Sequence, residues 1–287
     1  MIKNLLRYIS DFCRPKLSVN VQIVETSKQL EGNVALVTGG TSGIGKAIAK
    51  SFVEAGAFVI ITGRNEEHAA CVAAEIANSS RIIGLKLNNL DITSFSSTIH
   101  ELIQVKLPKN LKKIDILVNN AGVIGGDIRN SSEHEFDKVI STNLKSVFFL
   151  NKIVADLMIK NNIKGNILNI ASSSSLRPAI SAYTLSKWGI RGLTKGMAKL
   201  LAPYGITVNG LAPGPTATKM LGKIDYSDIE LKSIPLGRYI LPEEIAAMAL
   251  FLCGPQGKSI IGDTIYMTGG AGIIDNSDMN YHYVPNK

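Results

Sequence analysis

The feature that most constrains this chain is a glycine cluster, Thr38-Gly39-Gly40-Thr41-Ser42-Gly43-Ile44-Gly45. It lies between a short apolar run, Val34–Val37, and a segment with helical spacing, Ile44–Ala55. At a strand-to-helix turn, glycines permit a tight backbone and let an anionic ligand approach main-chain N–H groups. The helix N-terminus adds a favourable partial positive charge, so the place suits a pyrophosphate. No Gly-Lys-Ser/Thr follows, which excludes a P-loop. An ordinary glycine-rich turn is the alternative, and the pattern on either side argues against it.

That pattern is an alternation of short apolar runs with helical stretches. After Val34–Val37 come Phe58–Ile61, Ile82–Leu87, Ile114–Val118, Ile167–Ile170, Thr207–Leu211 and Thr264–Met267, seven candidate strands in all. Helical spacing falls between most of them, as in Glu66–Ala77, Ser132–Lys160 and Ala182–Leu201. Short buried strands alternating with helices predict an α/β fold, a parallel sheet covered on both faces. No linker or repeat divides residues 31–272, which read as one domain. Residues 1–30 form an extension and residues 273–287 a tail.

Charge and cysteine use narrow the function classes. Lysine plus arginine number 31 and aspartate plus glutamate 23, a net charge of +8. No arginine-rich run or zinc-finger spacing accompanies that charge, so nucleic acid is not expected; an excess of solvated lysines accounts for it, with a phosphate-rich cofactor as the sharper alternative that the motifs favour. Cys13, Cys71 and Cys253 are odd in number and far apart, and the four histidines are scattered. Neither a disulfide framework nor a metal site is expected, and a reducing, cytoplasmic compartment is. In Met1–Arg14 the apolar residues recur at helical spacing. That segment suits packing on its own domain or a sister subunit, weak membrane-surface association, or an organelle presequence.

Further motifs follow in order. Asn119-Asn120-Ala121-Gly122 comes after the fourth run, and Asn143 lies in a long helical stretch. Ser172 follows Asn169-Ile170-Ala171, and Pro213-Gly214 follows the sixth run. Tyr183 and Lys187 are four apart at what reads as a helix opening, so they share a face. A phenol with a reference pKa of about 10 is a poor base at neutral pH, and an ammonium beside it favours the phenolate. A second pair at this spacing, Tyr283 and Lys287, encloses Pro285 and reads as chance.

With TGxxxGIG and YxxxK in this order, residues 33 to 272 resemble the short-chain dehydrogenase/reductase family. The likeness is to its shorter-chain branch, near the 3-oxoacyl-(acyl-carrier-protein) reductases. It implies a Rossmann fold, a doubly wound seven-stranded parallel sheet, and hydride exchange between a nicotinamide dinucleotide and a carbonyl or secondary alcohol. It assigns proton transfer to Tyr183, the nicotinamide ribose to Lys187, the substrate oxygen to Ser172 and a relay water to Asn143. Ser172 lies 11 positions before Tyr183, a short spacing that leaves Ser173 and Ser174 as alternatives.

The same resemblance places the cofactor's phosphates at Gly39, Thr41, Ser42, Gly43, Ile44 and Gly45. Asp91 and Ile92 fall to the adenine. Asn119, Ala121 and Gly122 fall to the adenosine side, and Pro213, Gly214, Thr216 and Thr218 to the nicotinamide end. Gly63 stands where NAD-specific members carry aspartate, and Arg64 and Asn65 follow it. With no carboxylate to repel a 2′-phosphate and a guanidinium to pair with it, NADP(H) is favoured over NAD(H). Ser42 occupies a place where many NADP-using relatives carry a basic residue, which counts the other way.

The substrate is less constrained. Residues 214–240 read as a lid over the substrate at Pro215, made apolar by Met220, Leu221, Ile224, Tyr226 and Ile229, with Leu176, Pro178, Ala179 and Ile180 facing them. No basic or acidic cluster in these stretches points to a sugar phosphate or a dicarboxylate. Reduction of a ketone or 3-oxoacyl compound with an apolar portion is the leading expectation. Oxidation of a polyol, sugar acid or small secondary alcohol is the alternative, and a catalytically silent scaffold is the reading from another class. Tyr204 stands where carrier-linked reductases carry arginine, which weakens carrier docking. Ser132–Lys160 and Ala182–Leu201 carry broad apolar faces, and the resemblance implies that these helices pair between subunits in a homodimer or homotetramer.

Overall fold

A computed structural model describes residues 28–77, 81–222 and 229–273. All seven apolar runs are strands, and all pair in parallel in the order β3-β2-β1-β4-β5-β6-β7. They are β1 Val34–Val37, β2 Phe58–Gly63, β3 Ile82–Lys86, β4 Ile116–Asn119, β5 Asn166–Ile170, β6 Thr207–Pro213 and β7 Thr264–Met267. The helices between them are α1 Gly43–Glu54, α2 Glu66–Ile76, α3 Phe95–Glu101, α4 Glu133–Ile140, α5 Ser146–Lys160, α6 Ala182–Leu201 and α7 Pro242–Cys253.

The strands are apolar throughout because both faces of the sheet are covered. Ala35, Val37, Val59 and Ile61 pack with Phe52 of α1, Val72 of α2 and Ile245 of α7. The alternate residues Val34, Leu36, Phe58 and Ile60 pack with Phe95 of α3, Leu150 and Val154 of α5 and Leu201 of α6. Phe52 is fully buried, and burial of that kind contributes roughly 1.5–3 kcal/mol per large apolar side chain.

The chain winds from β1 outward to β3, then returns to pair β4 on the other side of β1. At such a reversal the loops leaving two adjacent strands run in opposite directions and open a crevice at the strands' carboxyl ends. The glycine cluster leaves β1 there, and Asn120-Ala121-Gly122 leaves β4 beside it.

The expected helix over Ser132–Lys160 is present with one difference. Between α4 and α5 the turn at Ser141–Lys145 widens to π-helical geometry, and Asn143 sits in it. The expected helix in Met1–Arg14, the tail beyond Ile273, and Ile224 and Tyr226 of the lid lie outside the described residues. No described helix is long and apolar enough to cross a membrane.

Candidate active site

The glycine loop is locked to the end of β4. The Asn120 Nδ2 donates to the carbonyls of Thr38 at 3.0 Å and Gly39 at 3.1 Å. In return the Thr38 Oγ1 accepts from the N–H groups of Asn120 at 3.0 Å and Ala121 at 3.1 Å. Gly39 has φ +62°, in the region that favours glycine, and a Cβ there would stand 2.9 Å from the Ala121 Cα. At Gly45 a Cβ would stand 2.4 Å from both the Asn120 Nδ2 and the Gly39 carbonyl oxygen. No side chain larger than hydrogen fits at either place.

Helix α1 starts from this loop with its N-terminus bare. Its cap residue Ser42 makes no side-chain capping bond, and no acidic residue lies in the first turn. By contrast, α2, α4 and α6 are capped by Asn65, Ser132 and Ser181. Open N–H groups and the positive end of a helix facing a crevice fit a phosphate group, so the loop suits a dinucleotide's pyrophosphate.

The crevice is a cleft of about 520 Å³. Its wall gathers Gly39, Thr41, Ser42, Gly43 and Ile44 from the loop, Arg64 from the end of β2, and Ala121 and Gly122 from β4. Ser172, Tyr183, Lys187, Pro213, Gly214, Pro215, Thr216, Thr218, Met220 and Leu221 join them. Residues scattered over 180 positions therefore meet in one hollow because they leave the same edge of the sheet.

At one part of that hollow, α6 presents Tyr183 and Lys187. The Ser181 hydroxyl accepts from the Thr184 N–H at 3.2 Å and fixes the start of the helix. Lys187 is buried, and its Nζ donates to the Ile170 carbonyl at 2.7 Å and lies 5.7 Å from the centre of the Tyr183 ring. Burial pulls the Lys187 ammonium down to about 8. Burial pushes the Tyr183 phenol above its usual value, and a hydrogen bond with Ser172 opposes that rise. Burial of both groups thus opposes the expected lowering of the phenol by Lys187.

Ser172 is the serine that meets Tyr183. Its Oγ accepts from the Ser174 N–H at 3.1 Å, and the Ser175 hydroxyl donates to its carbonyl at 2.8 Å, so the turn after β5 is rigid. Ser173 and Ser174 line the cleft without that contact.

Several expected residues stand behind the wall instead of in it. The Asn143 side chain is engaged by protein: it exchanges two 2.8 Å bonds with the Val123 backbone and donates to the Ser186 hydroxyl at 3.3 Å. Ser186 in turn donates to the Tyr183 carbonyl at 2.6 Å. Asn119 is buried and donates to Asn151 at 2.6 Å and Asn169 at 2.9 Å, a polar ladder between strands and α5. Asn65 caps α2 through the His68 N–H at 2.7 Å. Asp91 is exposed and accepts from the Thr93 hydroxyl at 2.5 Å, closing the short turn that Ile92 opens. Gly45, Leu176 and Ile180 are also outside the cleft wall, Ile180 because its exposed strand-like segment pairs with Ile128. In place of Asp91 and Ile92, Asn88, Asn89 and Leu90 line the cleft. Their signal was position: they directly follow β3, where loops from parallel strands carry ligand sites. Lys138, Arg177 and Lys219 line it too, from three separate elements.

The sequence matches the model of the short chain dehydrogenase family over residues 33–228. The chain is a short-chain dehydrogenase/reductase. Among relatives of this short-chain dehydrogenase/reductase is the 3-oxoacyl-(acyl-carrier-protein) reductase FabG of Aquifex aeolicus, 38% identical over 84% of this chain and 98% of the relative. Gluconate 5-dehydrogenase of Gluconobacter oxydans is 35% identical over 84% of this chain and 95% of the relative. A solved 3-ketoacyl-(acyl-carrier-protein) reductase from Brucella melitensis, complexed with NADH, superposes with a TM-score of 0.75 at 31% identity. That match covers 85% of this chain and all of the other. As a short-chain dehydrogenase/reductase of this similarity, the protein is an oxidoreductase.

Proposed function

We propose that this enzyme uses NADP(H) to reduce a ketone or 3-oxoacyl-type carbonyl, with Tyr183 delivering the proton to oxygen. The observation that carries the reading is the meeting of Ser172, Tyr183 and Lys187 in the cleft that the bare N-terminus of α1 also faces. When bound, the dinucleotide supplies the hydride. The Ser172 hydroxyl is placed to donate to the substrate oxygen and to stabilise charge that develops on it. Burial keeps the Tyr183 phenol protonated at neutral pH, which suits an acid in the reducing direction. Lys187, with its ammonium at about 8, remains mostly charged at pH 7 and offsets the phenolate left after proton transfer. Asn143 positions the loop after β4 through Val123.

Arg64 supports NADP(H). It lines the cleft after Gly63, has no acidic partner among the described residues, and suits a 2′-phosphate. Exposed apolar side chains on α4, α5 and α6, including Phe136, Phe148, Leu185 and Trp188, support self-association of these helices into a dimer or tetramer. Oxidation of a sugar acid or polyol is the second reading, favoured by the likeness to gluconate 5-dehydrogenase.

Tyr183→Phe tests the reading. Turnover should fall on the order of 100- to 10,000-fold, while dinucleotide binding, followed by cofactor fluorescence, stays within error. Retained turnover in the variant would remove Tyr183 from the reaction.

A further inference from the structure

The charge of the cleft wall is one-sided. Five cations line it, Arg64, Lys138, Arg177, Lys187 and Lys219, and no aspartate or glutamate does among the described residues. Two have uses already: Arg64 faces the cofactor's adenosine end, and Lys187 lies under Tyr183. The other three come from α4, from the loop between β5 and α6, and from the start of the lid. They are distant in sequence, which is why no basic cluster is visible there.

Arg177 is the one on the loop that follows Ser172. Its N–H donates to the Ser174 carbonyl at 3.2 Å, and its carbonyl accepts from the Trp188 indole at 2.9 Å. The backbone is therefore held on both sides, five positions after Ser172. The side chain packs over Gly272, beyond β7, where an added Cβ would stand 3.0 Å from the Arg177 Nε. Its guanidinium has no acidic partner among the described residues. β2 and β5 are three strand spacings apart, roughly 14 Å, and Gly272 lies past strands farther still. An anion at Arg177 is thus a different anion from a 2′-phosphate at Arg64.

Resting on the reductase reading above, we propose that Arg177 recognises an anionic group of the substrate, a carboxylate or a phosphate set away from the reacting carbonyl. A planar guanidinium suits either through paired hydrogen bonds. Lys138 and Lys219 add positive field that attracts such a substrate into the cleft. The apolar ketone expected from the lid residues is thereby narrowed to one with a charged end.

The test compares four compounds on the full-length enzyme with NADPH: acetoacetyl-coenzyme A, neutral acetoacetyl-N-acetylcysteamine, 5-keto-gluconate and its neutral methyl ester. The charged member of at least one pair should be preferred. Arg177→Met should lower its kcat/KM on the order of 10- to 100-fold, mainly through KM, and leave its neutral counterpart within about twofold. Arg177→Lys should fall between, and it replaces the methionine variant if that one fails to fold. Selectivity for the thioester pair identifies phosphate, and for the sugar pair carboxylate. Equal losses on charged and neutral partners, or no charge preference in the parent enzyme, overturn the inference alone. Turnover of none of the four, with NADPH binding intact, overturns the reductase reading beneath it.

Discussion

Removing the buried ammonium of Lys187 should change how stability depends on pH. In the folded chain this group ionises at about 8, down from its ordinary 10.5, because burial disfavours the charge. At ~1.4 kcal/mol per unit, that depression is worth about 3 kcal/mol. Below pH 8 both folded and unfolded chains carry the proton, and the folded state bears the full cost. Between pH 8 and 10.5 the unfolded chain holds a proton that the folded chain has lost, so this group makes stability rise with pH. Lys187→Met abolishes that rise. It also forfeits the bond to the Ile170 carbonyl, a loss of about 1 kcal/mol that is nearly independent of pH. The variant should therefore be the more stable protein at pH 7, by about 2 kcal/mol, and lose that lead towards pH 10. Burial raises the Cys253 thiol to about 12, which lowers stability above pH 9 in both proteins and cancels in their difference. Urea unfolding of both, without dinucleotide, at pH 7, 8, 9 and 10 gives the difference curve, with Trp188 as the fluorescence probe. A difference that stays flat with pH would refute the argument that Lys187 is desolvated.

Two further substitutions test the cofactor end. Gly45→Ala places a methyl 2.4 Å from the Asn120 amide and the Gly39 carbonyl, so it should cost about 2 kcal/mol or more. Thermal unfolding should show a lower Tm, and fluorescence titration should show weakened binding of NADPH and NADH alike. An unchanged Tm would mean that the loop is softer than its contacts imply. Arg64→Met should weaken NADPH on the order of 10- to 100-fold in the same titration and leave NADH unaffected. Equal weakening of both dinucleotides would dissociate Arg64 from the 2′-phosphate.

The sheet was legible in the sequence because its strands are short, buried on both faces and flanked by glycine. Val34–Val37 and Thr264–Met267 coincide with the observed strands, and β6 runs two residues past Leu211 to Pro213, which pairs with Met267. The π-turn at Ser141–Lys145 was not legible, since one wide turn leaves the apolar periodicity of its helix nearly intact. Helical spacing made Tyr183 and Lys187 legible as a pair on one face, whereas Ser172 was chosen over Ser173 and Ser174 only through the family resemblance. Asp91 was misplaced because the spacing after β3 reveals nothing of its side chain, which is taken by Thr93. The basic lining that includes Arg177 was not legible for the opposite reason. Lys138 and Lys219, which line the same cleft, are about 40 positions away on either side.

The amide of Asn120 has an implication for anyone redesigning this enzyme. Because it grips both Thr38 and Gly39 while Gly45 leaves room for it, the two turns form one interlocked unit assembled from pieces 80 positions apart. A glycine turn grafted in from a donor enzyme would arrive without its mate. Libraries that vary cofactor choice are better aimed at Arg64, which borders the same hollow just past a separate strand; at Gly63 an added Cβ would stand 3.0 Å from the Thr41 methyl of the glycine loop.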